Sequence, residues 1–344
     1  MQLFEEINTL LSGQNPFVCY VKPNECIWNL QVQQTNEIVP FSGQSGFVFM
    51  PFDAGVKICL PTEISAFSQG NFENLEQKSA DKFTSEANQK DAFEHLVSKG
   101  IAAIQNGAFD KVVLSRKIVL NEQLSVLATF QNLIATYPTA FRYLFFHPKI
   151  GLWMGATPER LVKINQNHFE TVALAGTQLF SESIIWTTKE IEEQQFVTDF
   201  IVSEIASKVE NLIVSEPKTI KAGNLAHLKS VITGQLTDDF TELDLITYLH
   251  PTPAICGFPK ESALVFILKN EAFNRTYYSG FLGEYNSNNQ TDLFVNLRCL
   301  EVVNNAVNIY VGCGITKDSN PEMEFLETEN KSMTMRNILV FSGQ

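Results

Sequence analysis

The chain reads as an α+β protein built on antiparallel sheets, and three features of its patterning say so. Between Lys111 and Leu174 five β-like runs follow one another, KVVLSRKIVL, FRYLFFH, GLWMGA, RLVKIN and HFETVAL, several of them joined by only a few turn residues. Links that short hold no crossover helix, so many neighbouring strands must run antiparallel. Toward the C-terminus RTYYSGFLGEY, DLFVNLRCLEV and AVNIYVGCGI, separated by NSNNQT and Asn304-Asn305, predict an antiparallel meander. Segments of helical rather than alternating periodicity lie between and around these runs.

Taken in order, residues 17–64 alternate short runs such as FVCYV and GFVFMPF with Gly, Pro and Asn, which predicts a strand-rich N-terminal part spanning residues 1–90. Its last stretch, 69–90, is the most polar of the chain and is expected to be a boundary or surface connection to the region 91–341. A helix is predicted over Asp91–Gln105. Lys189–Leu212 carries Val197, Phe200, Ile201, Ile205, Val209 and Leu212 at helical spacing, which predicts one amphipathic helix. Pro321 opens a final helix with Glu322, Glu324 and Glu327 in its first turns, where the helix dipole favours acids.

With 344 residues, 44% hydrophobic and 18% charged, the chain can bury a large core. Its net charge of -13, from 38 acidic against 25 basic residues, argues against a nucleic-acid or anionic-membrane partner, since both require clustered Lys and Arg. An anionic substrate would have to be held locally, by a metal ion or a single Arg. Cys19, Cys26, Cys59, Cys256, Cys299 and Cys313 lie far apart, without C-x-x-C pairs, and are expected to be buried free thiols. The start of the chain carries Glu5 and Glu6 where a signal peptide would carry Lys or Arg, and no apolar run approaches the ~18 residues of a membrane span, so a cytoplasmic setting is expected.

Several residues could carry chemistry. Glu193 precedes Val197, Phe200 and Ile201 by four, seven and eight positions and so shares their inward stripe; it either reaches water at the rim or needs a cation. Glu324, Glu327 and Lys331 share one face of the last helix, as a surface ion pair or as part of a site. Two helices offering acids without nearby His or Cys would suit a hard, oxygen-seeking ion such as Mg²⁺. Lys111, on the strand face of Val113 and Ser115, is either a solvated edge lysine or, in a dry site, a general base. Glu159, in the turn GATPER, becomes a general acid if apolar walls raise its pKa. Gly176, Thr177, Gly312 and Gly314 allow backbone amides to approach a carboxylate. Arg298, alternating with Phe294 and Asn296, offers a fork for a carboxylate, while His227 and His250 read first as structural.

The ordered set KVVLSR, GATPERL, LAGT, a KxxxEQxxV helix, HLKSVITG, LHPTPAICGFPK, YYSGFLG, VNLRCLEV, GCGIT and SNPEMEFLETENK resembles the chorismate-utilising enzymes. That family includes isochorismate synthases, salicylate synthases, anthranilate synthase large subunits and aminodeoxychorismate synthases. The resemblance runs from about Glu94 to Met333, and residues 1–90 carry little of it. It implies a large core of antiparallel sheets packed as a sandwich and flanked by helices, with Mg²⁺ held through Glu193, Glu324 and Glu327. Within the family the KVVLSR lysine, here Lys111, marks the water-adding members, and Ala175 stands where aminodeoxychorismate synthases often carry a nucleophilic lysine. Ala254 in LHPTPAICG is similar to isochorismate synthases; Gln194 and Phe325 depart from the His and Trp of many relatives.

The resemblance thus implies chorismate as substrate, with no obligatory protein partner, and water addition at C2 with loss of the C4 hydroxyl. Lys111 would be the base and Glu159 the acid. The amides at Gly176 and Thr177 would assist at the ring carboxylate, and Arg298, Tyr278, Gly312 and Gly314 would lie at the enolpyruvyl carboxylate. A salicylate synthase and a catalytically silent chorismate-binding subunit are the competing readings.

Overall fold

The computed structural model describes residues 2–72, 79–80, 88–222 and 225–342. Its elements run α1 (Gln2–Ser12), β1 (Phe17–Val21), β2 (Ile27–Gln33), β3 (Val39–Pro40), β4 (Gly46–Met50), β5 (Ile58–Pro61), β6 (Ser65–Asn71), α2 (Asn88–Gln105), β7 (Lys111–Leu120), α3 (Val126–Thr136), β8 (Phe141–His147), β9 (Gly151–Thr157), β10 (Arg160–Asn165) and β11 (His168–Leu179). They continue with α4 (Thr188–Ile205), β12 (Val209–Val214), β13 (Lys218–Ala222), β14 (Leu225–Leu236), α5 (Glu242–Leu249), β15 (Gly257–Phe258), α6 (Lys260–Asn270), β16 (Phe281–Ser287), β17 (Gln290–Val295), β18 (Cys299–Val303), β19 (Ala306–Ile315) and α7 (Pro321–Arg336).

Two sheets result, and the strand pairings among the described residues are antiparallel, as the short links require. One has nine strands in the order β15-β7-β19-β18-β9-β8-β1-β2-β6; the other has ten, β12-β14-β11-β10-β17-β16-β4-β5-β3 with β13 also beside β14. Strands of the first 90 residues enter both: β1, β2 and β6 the first, β3, β4 and β5 the second. The expected connection at 69–90 falls largely outside the described residues; its first residues end β6 and its last begin α2.

The sheets face each other across an aromatic core to which Tyr20, Phe49, Phe141, Tyr143, Phe145, Trp153 and Phe294 belong. β8 is buried at every residue because its other face, Leu144 and Phe146, also packs inward, under α1 and α3. A strand buried on both sides has no solvent face to alternate, which is why the central run YLFF does not alternate with charged residues, and the buried Arg142 donates to the backbone carbonyls of Ala140, Ile134, Lys22 and Glu25. The outer face of the ten-stranded sheet is covered by α4 and α5 through Val197, Phe200, Ile201, Leu245 and Leu249. The sandwich flanked by helices is therefore present.

Three expectations fail. The helix expected to reach Leu212 ends at Ile205, and Val209 and Leu212 belong to β12. Ile205 and Val209 fall four apart by coincidence of spacing; VENLIV is rich in β-branched residues and completes the edge beside β14. The meander is also not one sheet: the β16–β17 hairpin lies in the ten-stranded sheet and β18–β19 in the nine-stranded one. DLFVNLRCLEV breaks at Asn296–Arg298, where Arg298 adopts φ 48° and the chain turns from one sheet to the other. The cysteines are all free, five buried and Cys26 exposed, contrary to its expected burial.

Candidate active site

A cavity of about 220 Å³ opens where the sheet corner, the β7–β19 edge, the bulge in β11 and the helices α4 and α7 meet. Lys111 opens β7, and alternation turns Lys111 and Val113 into the cavity while Val112 and Leu114 enter the core under α2 and α6. β19 pairs with β7 so that Gly314 is opposite Val113 and Gly312 opposite Ser115. A Cβ at Gly314 would stand 3.1 Å from Lys111 Cε, and one at Gly312 would stand 3.0 Å from Tyr278 Oη. Both glycines therefore clear space for functional side chains, a requirement distinct from the amide contacts expected of them.

Glu159 and Arg298 occupy a corner made by two chain segments side by side. β9 leaves the nine-stranded sheet through Pro158 and Glu159 to become β10 of the other, and Asn296–Arg298 carry β17 back into β18. The crossings are tied together: Val295 N donates to Glu159 O at 2.9 Å, Ala156 N to Arg298 O at 3.0 Å, and Thr157 Oγ1 to Val295 O at 2.6 Å. Strict alternation from Phe294 is thus not what aims Arg298. A non-glycine residue at φ 48° is sterically costly and persists only where its surroundings hold it there.

The electrostatics of these groups diverge. Burial pushes the Glu159 carboxyl up to about 7, against the opposing pull of Arg298 and then Lys111. Burial also lowers Lys111 below the ordinary lysine value, assisted by the charge of Lys331 and opposed most strongly by Glu193. Burial in one cavity thus shifts both the acid and the amine toward their uncharged forms relative to water.

The helical wall carries the acids. α4 begins with a capping box in which Glu190 accepts from Thr187 N at 2.9 Å and from the Thr187 hydroxyl. One turn later Glu193 faces the cavity, half-buried. Glu324, buried, and Glu327 project from α7, with Lys331 Nζ 2.5 Å from Glu327 and 3.1 Å from Gly312 O. Gly176, at φ 68°, is the bulge residue of β11, and a Cβ there would stand 3.0 Å from Glu190 Cβ, so glycine lets α4 approach the strand. The backbone of Thr177 pairs with His227; its side chain lies outside the described set.

Three carboxylates on one wall are hard oxygen donors of the type Mg²⁺ takes. Among the described residues no three His, Cys, Asp or Glu side chains close on one point, so these carboxylates do not form a metal cage of protein ligands alone.

Tyr278 lies in the turn 275–280, stacked on Tyr310 with ring centroids 5.4 Å apart. Ala254 lines the cavity beside Ile255. Gln194 is buried and donates to Thr198 Oγ1 at 2.9 Å and Ser230 Oγ at 2.8 Å, fastening α4 to β14. Phe325 packs under the Arg116 guanidinium at 4.6 Å. The structure brings together all the sequence-derived candidates whose side chains are described, adds Glu190 and Ser279, and places in the lining His227, which reads from the sequence first as structural. The T-x-x-E spacing of Thr187 and Glu190 was a readable helix-start signal for the first. His227, lowered by burial and hydrogen-bonded to the Gly176 backbone, had no such signal.

A family model described as "Chorismate binding enzyme" matches residues 56–340. The isochorismate synthase DhbC of Bacillus subtilis is 29% identical over 311 residues, covering 83% of this chain and 78% of that protein. The isochorismate synthase EntC of Escherichia coli strain K12 is 28% identical over 263 residues, covering 73% and 67%. Among solved structures, MenF, the menaquinone-specific isochorismate synthase of Escherichia coli, superposes with a TM-score of 0.79 over 94% of this chain and 89% of that one. At 20% identity this last likeness speaks to the fold alone.

Proposed function

We propose that this chain, which belongs to the chorismate-binding enzyme family, is an isochorismate synthase that interconverts chorismate and isochorismate. The observation that carries the reading is the pair Lys111 and Glu159 in one cavity, with the lysine moved down and the carboxyl up to about 7. Two titratable groups displaced in this way suit complementary base and acid duties near neutral pH. Neutral Lys111 takes a proton from water as its oxygen bonds to C2. Protonated Glu159 gives its proton to the C4 hydroxyl as that C–O bond breaks, and water departs. Lys111 ends protonated and Glu159 ionised, and the reverse reaction starts from that state.

Arg298, whose fork suits a carboxylate, would hold the enolpyruvyl carboxylate with Tyr278 and the backbone at Gly312 and Gly314. The amides around Gly176 and Thr177 would face the ring carboxylate, and Ala254 would leave room beside the ring. Glu193, Glu324 and Glu327 would hold Mg²⁺, which when bound supplies positive charge to the substrate carboxylate in a chain of net charge -13. The deciding experiment is incubation with chorismate and Mg²⁺ followed by chromatography. Isochorismate alone is expected; salicylate with free pyruvate would move the chain to the lyase branch, and no turnover would leave a binding protein.

A further inference from the structure

Behind the cavity lies an ion pair that the proposed chemistry does not use. Glu271, which closes α6, and Arg275 are bonded at 2.6 Å, and both side chains are only 2% exposed. Their setting is the unfinished edge of the nine-stranded sheet. β15 is two residues long and pairs only with Lys111 and Val112, and Val113 N then donates to Cys256 O at 2.8 Å. Past that point, among the described residues, the edge of β7 has no strand beside it. Instead Arg275 Nη2 donates to Val113 O at 2.7 Å, and Glu271 Oε1 accepts from Ser115 N and from Ser115 Oγ, both at 2.8 Å.

A donor and an acceptor presented to residues i and i+2 are what a neighbouring strand would supply. The same guanidinium reaches elsewhere: Arg275 Nη1 donates to Ile255 O at 2.9 Å, next to Ala254, and its Cζ lies over the Tyr278 ring, 5.9 Å from the centroid. We propose that the Glu271–Arg275 pair is a positioning element of the active site, a side-chain rung that replaces the missing strand and fixes Lys111, the Ala254–Ile255 segment and Tyr278 relative to one another. The proposal rests on Lys111 being the reactive base. A fork is needed because three groups in different directions are bound from one planar cation, which a lysine cannot reproduce.

The test compares Arg275→Lys with the double variant Glu271→Leu/Arg275→Met, which removes both charges together and so leaves no single buried ion. Two quantities are read: kcat and KM for chorismate, and the titration midpoint of Lys111 by competitive acetylation with peptide mass spectrometry. A displaced base costs turnover more than binding, so in folded variants kcat should fall roughly 10- to 100-fold with KM within about threefold. The Lys111 midpoint should rise toward that of a solvated lysine. A lower melting temperature with kcat and midpoint unchanged would make the pair structural only and overturn the proposal. Should the double variant not fold, Arg275→Lys gives the same reading on its own. If the wild-type chain converts no chorismate, the assigned function falls while the Lys111 midpoint still decides whether the pair positions that side chain.

Discussion

The groups proposed for proton transfer and those proposed for charge binding are mounted differently. Lys111, Glu159 and Arg298 come from strands or sheet crossings whose backbones are hydrogen-bonded on one or both sides. Glu193, Glu324 and Glu327 hang from helices and reach the cavity through flexible stems, and the Glu327 side chain is 42% exposed. Proton transfer fails when atoms are misplaced by an ångström, whereas Mg²⁺ keeps several waters in its octahedral shell, so side chains on flexible stems can adjust to it. The difference teaches that, on the proposed assignment, the sheet-borne groups would set the chemistry and the helices the field around it.

The sharpest way to break that division is Lys111→Ala. A positioned base supplies about 10² to 10⁴ in rate, so turnover should fall by that factor while chorismate binding, followed by calorimetric titration, persists. Retention of more than about a tenth of wild-type turnover would hand the role to another group. Glu159→Gln should be comparably slow, and the double variant little slower than either single one, because both act on one transition state.

Arg298→Lys comes next. It should weaken chorismate binding by about 2 kcal/mol through loss of a charge-assisted contact, and an unchanged dissociation constant would remove Arg298 from the substrate's reach. On the helical wall, Glu193→Gln should raise the Mg²⁺ concentration for half-maximal activity by about tenfold, and EDTA should abolish activity until Mg²⁺ is restored. Chelator-insensitive turnover would show that the helix acids serve another purpose.

The smallest effects concern pH. With Glu159 held near 7, isochorismate formation should decline as pH rises through that value and the acid loses its proton. The stability sign follows from the same displacement. The folded state prefers the neutral carboxyl, so folding is penalised above about pH 7, and the penalty fades as pH falls toward the ordinary carboxylate range. Glu159→Gln should therefore raise the melting temperature at pH 8 and leave it nearly unchanged at pH 4. A gain that is equal at both would point to packing rather than charge.

Much of this was legible in the chain. The β-like runs from Lys111 and Phe141 coincide with β7 and β8, and Pro321 does open α7. Glu193 could be placed beside its apolar stripe because helical periodicity is a local property. Sheet membership is not local: nothing in VNLR tells that the chain leaves one sheet at Asn296, because the corner is made by tertiary pairing of β9 with β18 and β10 with β17. The reach of α4 was overstated where a helical period and a β-branched run overlapped. The Glu271–Arg275 rung was invisible for the same reason as the corner, since it completes an edge that exists only once the sheet is assembled.

The paired crossings beside Glu159 and Arg298 also bear on how the molecule comes apart. β9 with β18, and β10 with β17, amount to a single two-stranded ribbon folded over the corner and shared by both sheets. Neither sheet can melt without pulling that ribbon from the other. Amide protons of β18 and β17 should therefore exchange through one common opening event, with equal apparent free energies, even though they belong to different sheets.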